Sequence, residues 1–405
     1  MLKASLLGLI LFINISCASY QSKVLEARNS LADGNSDRAA TLLKDMASQE
    51  GKDQVLYMLD YGLALHQLSD FEKSNQTLIE VDRLADFKDY ISISSQAGSL
   101  FVNESLIPYK SERFENILIN TYLALNFTMQ NNFESALVEC RRIDEKMRKM
   151  KLENEDLRKS FYARYLSAMI WEAEKNWDSA YIDYQNAYNI DGARSYLGKD
   201  LIRSAWRARR YDALKKWQKL YPKLSLEQIK KESIENGELV FIYQQGWIPR
   251  KYPRPENFRF PYLVPVSSGF TQAVVQVKDK RYPSTELLYD VGAEAIRTLD
   301  NDYAYLVAKK ILGVIAKEVA ADQIRQKNEA LGNIASLVMH MADQADLRQW
   351  STLPNTFQIS KLSLPPGEHE VVIFARGPAG ESKIFEGPVK IKKGQKTFLT
   401  KRTFH

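Results

Sequence analysis

The stretch FYARYLSAMIWEAEKNWDSAYIDYQNAY, residues 161–188, decides how the rest of the chain is read. Apolar and small residues recur in it every three or four positions on both sides of the polar break Glu174-Lys175-Asn176. That is the period of two amphipathic helices joined by a tight turn. Ala168, Ala180 and Ala187 fall where two antiparallel helices touch, and Trp171, Trp177 and Tyr184 where bulk fills the space between them. One such hairpin cannot bury its own apolar face, so others must stack on it.

Four further units align on this one. Residues 23–46 carry Ala27, the turn Gly34-Asn35, Ala39 and Leu43. Residues 57–81 carry Gly62, the turn Ser69-Asp70, Phe71, Ser74 and Leu78, and residues 120–143 carry Ala124, Asn131-Asn132, Phe133, Ala136 and Cys140. Residues 201–218 keep the turn before Tyr211 and the apolar spacing. The aligned positions 39, 74, 136, 180 and 214 are separated by 35, 62, 44 and 34 residues. Two of these intervals are close to 34, and the units resemble tetratricopeptide (TPR) repeats. The interval of 44 implies a helix extended through 146–159, and that of 62 a degenerate unit or an insertion. Cys140 sits in a packing slot, as a small buried hydrophobe.

At 405 residues, 45% hydrophobic and 26% charged, the chain has the composition of a folded protein with room for two or three domains. Its 56 basic and 50 acidic residues leave a net charge of +6, which permits contact with anionic surfaces without requiring it. Two cysteines, Cys17 and Cys140, exclude a disulfide framework. Lys3, the apolar run 4–15 and the small residue Ser16 before Cys17 resemble a bacterial lipobox. The resemblance implies a signal peptide over 1–16, with Cys17 lipidated as the first mature residue. Asn14 stands where a lipobox usually has Leu, and an ordinary secretory signal with a chance cysteine is the alternative. Ala18 follows Cys17 in place of Asp, which implies transfer to the outer membrane, facing the periplasm or exposed at the surface. No other apolar run approaches the roughly 20 residues of a membrane helix.

A more specific resemblance lies in PYKSERFENILINTYLALNFTMQNNFESALVECRRID, residues 108–144. With GELVFIYQQGWIPRK (237–251) and ADLRQWSTLPNTFQISKLSLPPGEHEV (345–371), it is similar to an uncharacterised family of TPR-containing bacterial outer-membrane lipoproteins. That family has no assigned activity, and its setting implies envelope assembly. Tyr109, Glu115, Glu139, Arg141 and Arg142 belong to the matching motifs. Their acid and guanidinium groups are candidates to clamp a partner peptide through charge-assisted bonds. The plainer reading makes Glu139, Arg141 and Arg142 a solvated face or salt bridges between repeats. The basic, aromatic stretch 201–224 is read as a solvated helical face and not as a nucleic-acid site, because its aromatics fall at helix-packing spacings.

From residue 235 the pattern turns extended. Residues 238–243 (ELVFIY) form an apolar strand, 252–265 an irregular or edge segment, and 270–277 and 285–289 further strands. A helical period returns over about 291–346, with helices expected at 303–319 and 328–341. Strands then resume at 357–364, 369–375, 383–391 and 395–401 as a meander, which suggests a small β-sandwich. One β domain formed from both sides of a helical insertion is the economical arrangement, and two separate β modules the alternative. The four histidines are scattered without metal-ligand spacing, and no nucleophile elbow, phosphate loop or dinucleotide fingerprint occurs. The run 346–350 (DLRQW) is read as a helix end in which Asp346 and Arg348 pair with the β domain over Trp350.

The expectation is therefore an α + β multidomain protein. A signal peptide over 1–16 precedes a TPR-like α-solenoid over 17–234 and a β-sandwich-like domain over 235–405 with a helical insertion. Its expected role is that of a non-catalytic, lipid-anchored scaffold or adaptor without cofactor, metal or nucleic-acid partner. It would dock envelope proteins, other lipoproteins among them, in the groove of the repeats. The alternative is a peptidoglycan- or glycan-directed binding protein or enzyme acting through the β domain.

Overall fold

The computed structural model describes residues 20–94, 108–149, 160–326, 329, 333 and 345–405. The expected signal peptide and Cys17 lie outside the described residues, as does nearly all of the helix expected at 328–341. A short helix α1 (Tyr20–Lys23) precedes a series of antiparallel hairpins. These are α2 (Leu25–Ala32) with α3 (Ser36–Ala47), α4 (Gln54–Gln67) with α5 (Phe71–Ser94), and α6 (Arg113–Met129) with α7 (Phe133–Lys149). Next come α8 (Phe161–Ala173) with α9 (Trp177–Ile190) and α10 (Leu197–Arg207) with α11 (Tyr211–Leu220), closed by α12 (Leu226–Glu235).

Each hairpin turns in the same way. One residue enters the left-handed region: Gly34 (φ 78°), Ser69 (61°), Asn131 (57°), Lys175 (60°) and Arg209 (57°). The N–H of the next residue then reaches back five positions, from Asn35 to Ser30 (2.8 Å), Asp70 to Leu65 (3.0 Å) and Asn132 to Phe127 (2.9 Å). Asn176 to Trp171 and Arg210 to Ala205 repeat it at 2.9 Å. These bonds satisfy carbonyls that a helix end leaves open. Asn35, Asp70, Asn132 and Asn176 also cap the second helix, each accepting from the backbone N–H three residues on. In the interior of the 161–188 unit Ala168, Ala180, Ala187 and Tyr184 are fully buried. A Cβ on Gly62 would sit 2.8 Å from Leu78, so the expected small residue is a packing requirement there.

The chain becomes extended at β1 (Gly237–Gln245), followed by β2 (Arg250–Pro253), β3 (Pro261–Val264), β4 (Gln272–Val277), β5 (Lys280–Arg281) and β6 (Glu286–Asp290). One continuous helix, α13 (Val291–Arg325), replaces the shorter helix expected at 303–319, and Asp290 caps it by accepting from Ala293 N–H at 2.8 Å. Strands β7 (Thr356–Leu364), β8 (Gly367–Gly377), β9 (Gly380–Ile391) and β10 (Lys396–Thr403) complete the fold. One sheet has the order β10-β1-β7-β6, another β5-β4-β8-β9, and β2 and β3 pair only with each other. Strands from both sides of α13 therefore share both larger sheets.

The expected meander ends at β9. The turn after it carries β10 across to pair parallel with β1, Glu238 opposite Lys396, instead of lying beside β9 in the same sheet.

Strand β1, an apolar run without polar alternation, is buried on both faces. Leu239, Phe241 and Tyr243 point into the sandwich, where they meet Val275, Ile373 and Ile391 of the other sheet. Val240 and Ile242 point the opposite way and join the core of the helical hairpins, together with Phe357 and Ile359 of β7. The sheet β10-β1-β7-β6 is thus buried on one face by its partner sheet and on the other by the repeats. Its helix-side residues meet the first helices of the hairpins, the inner face of the stack.

Candidate functional site

The inner face expected to receive a partner is occupied by the chain's own sheet. Three polar clusters hold the two together. At the α10 end, Glu172, Asp200 and Glu238 face Arg203, Lys361 and Lys396, all nearly out of contact with solvent. Arg203 reaches Glu172 (2.9 Å), Asp200 (2.8 Å) and Glu238 (3.2 Å), and Lys361 reaches Asp200 at 2.5 Å. Lys396 reaches Glu172 at 3.0 Å and also bonds Glu238. Tyr165 and Tyr184 donate to Asp200 (2.5 Å) and Glu172 (2.7 Å). Burial pushes the Glu172 carboxyl up, but Arg203 and Lys396 outweigh it and hold it at about 2. The same balance keeps Glu238 well below the usual carboxylate range, through Arg203, Lys396 and Lys361. Glu172 and Glu238 thus keep their charges in a largely buried interface because each has cationic partners. A small solvent-open cleft of about 50 Å³ borders the cluster between α10, α12, β1 and β10. Lys199 and Glu232 pair across its wall at 2.5 Å.

The middle cluster is a relay of neutral groups. Ser74 donates to Gly62 O (2.7 Å), Asn126 donates to Ser74 (2.8 Å), and His66 Nδ1 lies 2.5 Å from Asn126 Oδ1. Gln244 of β1 donates to His66 Nε2 at 2.7 Å and accepts from Tyr122 at 2.7 Å. This pattern is satisfied by a neutral imidazole with its proton on Nδ1. Burial, aided by the nearby Arg402, pushes His66 down to about 4.

The third cluster contains two of the residues singled out by sequence resemblance, Tyr109 and Glu115. Glu115, fully buried, accepts from Tyr109 OH (2.5 Å), from Trp350 N–H (2.6 Å) and from Glu112 N–H (3.0 Å). Asp60, equally buried, accepts from Thr352 N–H (3.2 Å), Thr352 OH (2.6 Å) and Tyr20 OH. Arg348 pairs with Asp346 at 2.7 Å and with Asp53 of the repeats at 3.0 Å. Residues 345–350 carry neither helix nor strand, and Arg348 ties them to the repeats through Asp53, while its carbonyl accepts from Lys251 of β2 at 3.1 Å. Trp350 lies beneath, its ring 5.9 Å from that of Tyr122.

The candidate clamp does not assemble. Tyr109 and Glu115 bind the chain's own segment 348–352. Glu139, also buried, accepts from Asn120 at 2.6 Å, and Arg142 bridges it to Asp82 of α5, both at 3.5 Å, as the inter-repeat reading expects. Arg141 stands exposed on α7. In the basic stretch 201–224 the solvated-face reading fails at Arg203, the hub of the ion cluster, and holds for exposed positions such as Lys215 and Lys216. Sequence reasoning missed Asp60, His66, Gln244, Lys361 and Lys396. A polar residue inside an otherwise apolar strand, as at Gln244, was the available signal. Cys140 is buried, and burial pushes its thiol far up.

These carboxyls give stability an unusual pH dependence. Burial raises Glu115 from 4.5 to about 8 and Asp60 from 3.8 to about 6, against the donors that favour their ionised forms. An acid with a raised pKa contributes fully below its unfolded value and loses that contribution as pH climbs to the folded one. His66, lowered from 6.5 to about 4, does the reverse, and its contribution is lost as pH falls below 6.5. Asp60 and His66 oppose each other between pH 4 and 6. From pH 6.5 to 8 Glu115 acts without that compensation. Unfolding free energy is expected to fall over this window by up to about 1.4 kcal/mol per pH unit. Urea melts at stepped pH measure it. Glu115→Gln should flatten the slope, and a flat wild-type profile would contradict the assignment.

No family model matches the sequence, and no curated protein matches it. Among solved structures, MamA (residues 41 to the end) from Desulfovibrio magneticus RS-1 is 15% identical. That match covers 52% of this chain and 96% of that one, with a TM-score of 0.34. The nearly identical TPR-like repeats assigned to a kinesin light chain of Podosopora anserina are 12% identical. They cover 53% of this chain and 95% of their own, also at a TM-score of 0.34. The helical-repeat architecture is carried by the recurring hairpin turns and their packing.

Proposed function

We propose that this chain is a non-catalytic scaffold or adaptor of the bacterial envelope, tethered to the outer membrane by a lipidated Cys17 and facing the periplasm. It engages protein partners through the outer, second helices of its hairpins and not through the inner groove. The observation that carries this reading is the occupation of the groove by β1, β7 and β10, which leaves the outer helices as the exposed repeat surface. Those helices present Ile79 (46% exposed), Ile182 (42%) and Tyr211 (61%) to solvent. The strongly shifted buried groups Glu115, Asp60, His66 and Glu172 are each bonded within the interface, which supports a structural role for them over acid–base chemistry.

The test is photo-crosslinking in cells, with a crosslinking amino acid at position 182 or 211 and, for comparison, at position 382 on exposed β9. Discrete protein adducts from the helix positions are expected. Adducts from position 382 alone, or from none of them, would overturn the reading.

A further inference from the structure

The hairpin β2–β3 stands apart from both larger sheets, and its sequence RKYPRPENFRFPYLV (residues 250–264) mixes aromatics, prolines and cations. Tyr252 is 42% exposed and Phe258, in the turn, 59%. Arg250 lies 5.7 Å from the Tyr252 ring and Arg254 4.4 Å from that of Tyr303. Glu256 is the sole acid in the segment, against Arg250, Arg254 and Arg259, while Lys251 is buried and pairs with Glu112. Exposed aromatic rings beside arginines suit the headgroup layer of a bilayer, where rings sit at the polar–apolar boundary and guanidinium groups meet phosphates.

A second observation points to the same surface. The first described residues are fixed to the body of the protein at the root of this hairpin. Tyr20 is buried and donates to Asp60. Gln21 accepts from Arg250 at 3.0 Å and donates to the carbonyl of Leu347 at 2.9 Å. From Cys17 to Tyr20 there are three residue steps, which span at most about 11 Å. A cysteine acylated in the bilayer thus leaves no long tether, and it brings Arg250 and the strand that follows it to the membrane surface.

We infer that β2–β3 is a membrane-contacting hairpin, which lays Tyr252 and Phe258 in the headgroup region of the leaflet that holds the anchor. The inference rests on the lipid anchoring of Cys17 proposed above. It orients the molecule, because the start of β1, beside the exposed turn at Lys393, lies about 27 Å from the strand's hairpin end and so faces the aqueous side.

The test uses the full-length lipidated protein in phosphatidylethanolamine–phosphatidylglycerol vesicles, with a nitroxide at Phe258→Cys or, as the aqueous reference, at Lys393→Cys. Cys140 is buried and Cys17 acylated, so each variant offers one reactive thiol. The label at 258 is expected to be several-fold less accessible to an aqueous nickel chelate than the label at 393, and more accessible to oxygen. If the protein floats with the vesicles and both labels are equally open to the chelate, the hairpin assignment fails and the anchor stands. If the protein does not float, or Cys17→Ser floats as well as wild type, the anchoring proposal fails and the inference with it.

Discussion

Arg203→Met is expected to destabilise the fold by about 3–5 kcal/mol, the usual cost of breaking a buried ion network by removing one member. The guanidinium bonds Glu172, Asp200 and Glu238 together, so its loss leaves these three carboxylates with Lys361 and Lys396 as their remaining cationic partners in the cluster. Urea melts would read the loss as a lower midpoint at unchanged slope. The double variant Arg203→Met with Glu172→Leu is expected to lose less than the sum of the single changes, because the second substitution removes one of the stranded charges. A single-variant cost below about 1 kcal/mol would place Arg203 among weakly coupled surface ions, contrary to its burial.

Trp350→Ala should cost a similar amount for a different reason. The indole is fully buried where segment 348–352, α6 and the sheet meet, and its Nε1 has no hydrogen-bond partner among the described residues. Truncation therefore forfeits no side-chain hydrogen bond. It removes apolar contact and leaves a cavity, together about 3–5 kcal/mol for a large aromatic. The backbone N–H of residue 350 still donates to Glu115, so the polar cluster keeps its geometry. Denaturant melts measure the cost, and Trp350→Phe should recover a good part of it. If Ala and Phe were equally tolerated, Trp350 would not be packing the sheet against the repeats.

Both variants act on a joint that the linear sequence discloses only on one side. Repeat spacing placed Ala168 and Ala180 at helix contacts, because a helix face is written at intervals of three and four residues. Resemblance singled out Tyr109 and Glu115, yet what they bind lies some 235 residues further along the chain for Glu115. Arg203 looked like one of many cations on a solvated helix. Its burial depends on Glu238 and Lys396, contributed by strands whose approach no local pattern encodes.

The sequence by itself determined the hairpins, since each turn is closed by short-range bonds, from Asn176 to Trp171 and from Ser179 to Asn176, that need only neighbouring residues. It also marked 238–243 (ELVFIY) as an apolar strand, because five apolar residues in a row follow Glu238. Only the tertiary structure decided what covers the two faces of that strand. The inner surface of the repeats is met by His66 bonding Gln244, 178 residues away, and by Asp200 bonding Lys361, 161 residues away. Such pairs are fixed by complementarity of charge and hydrogen bonding between distant segments. That complementarity turns an expected open groove into the seat of the chain's own sheet.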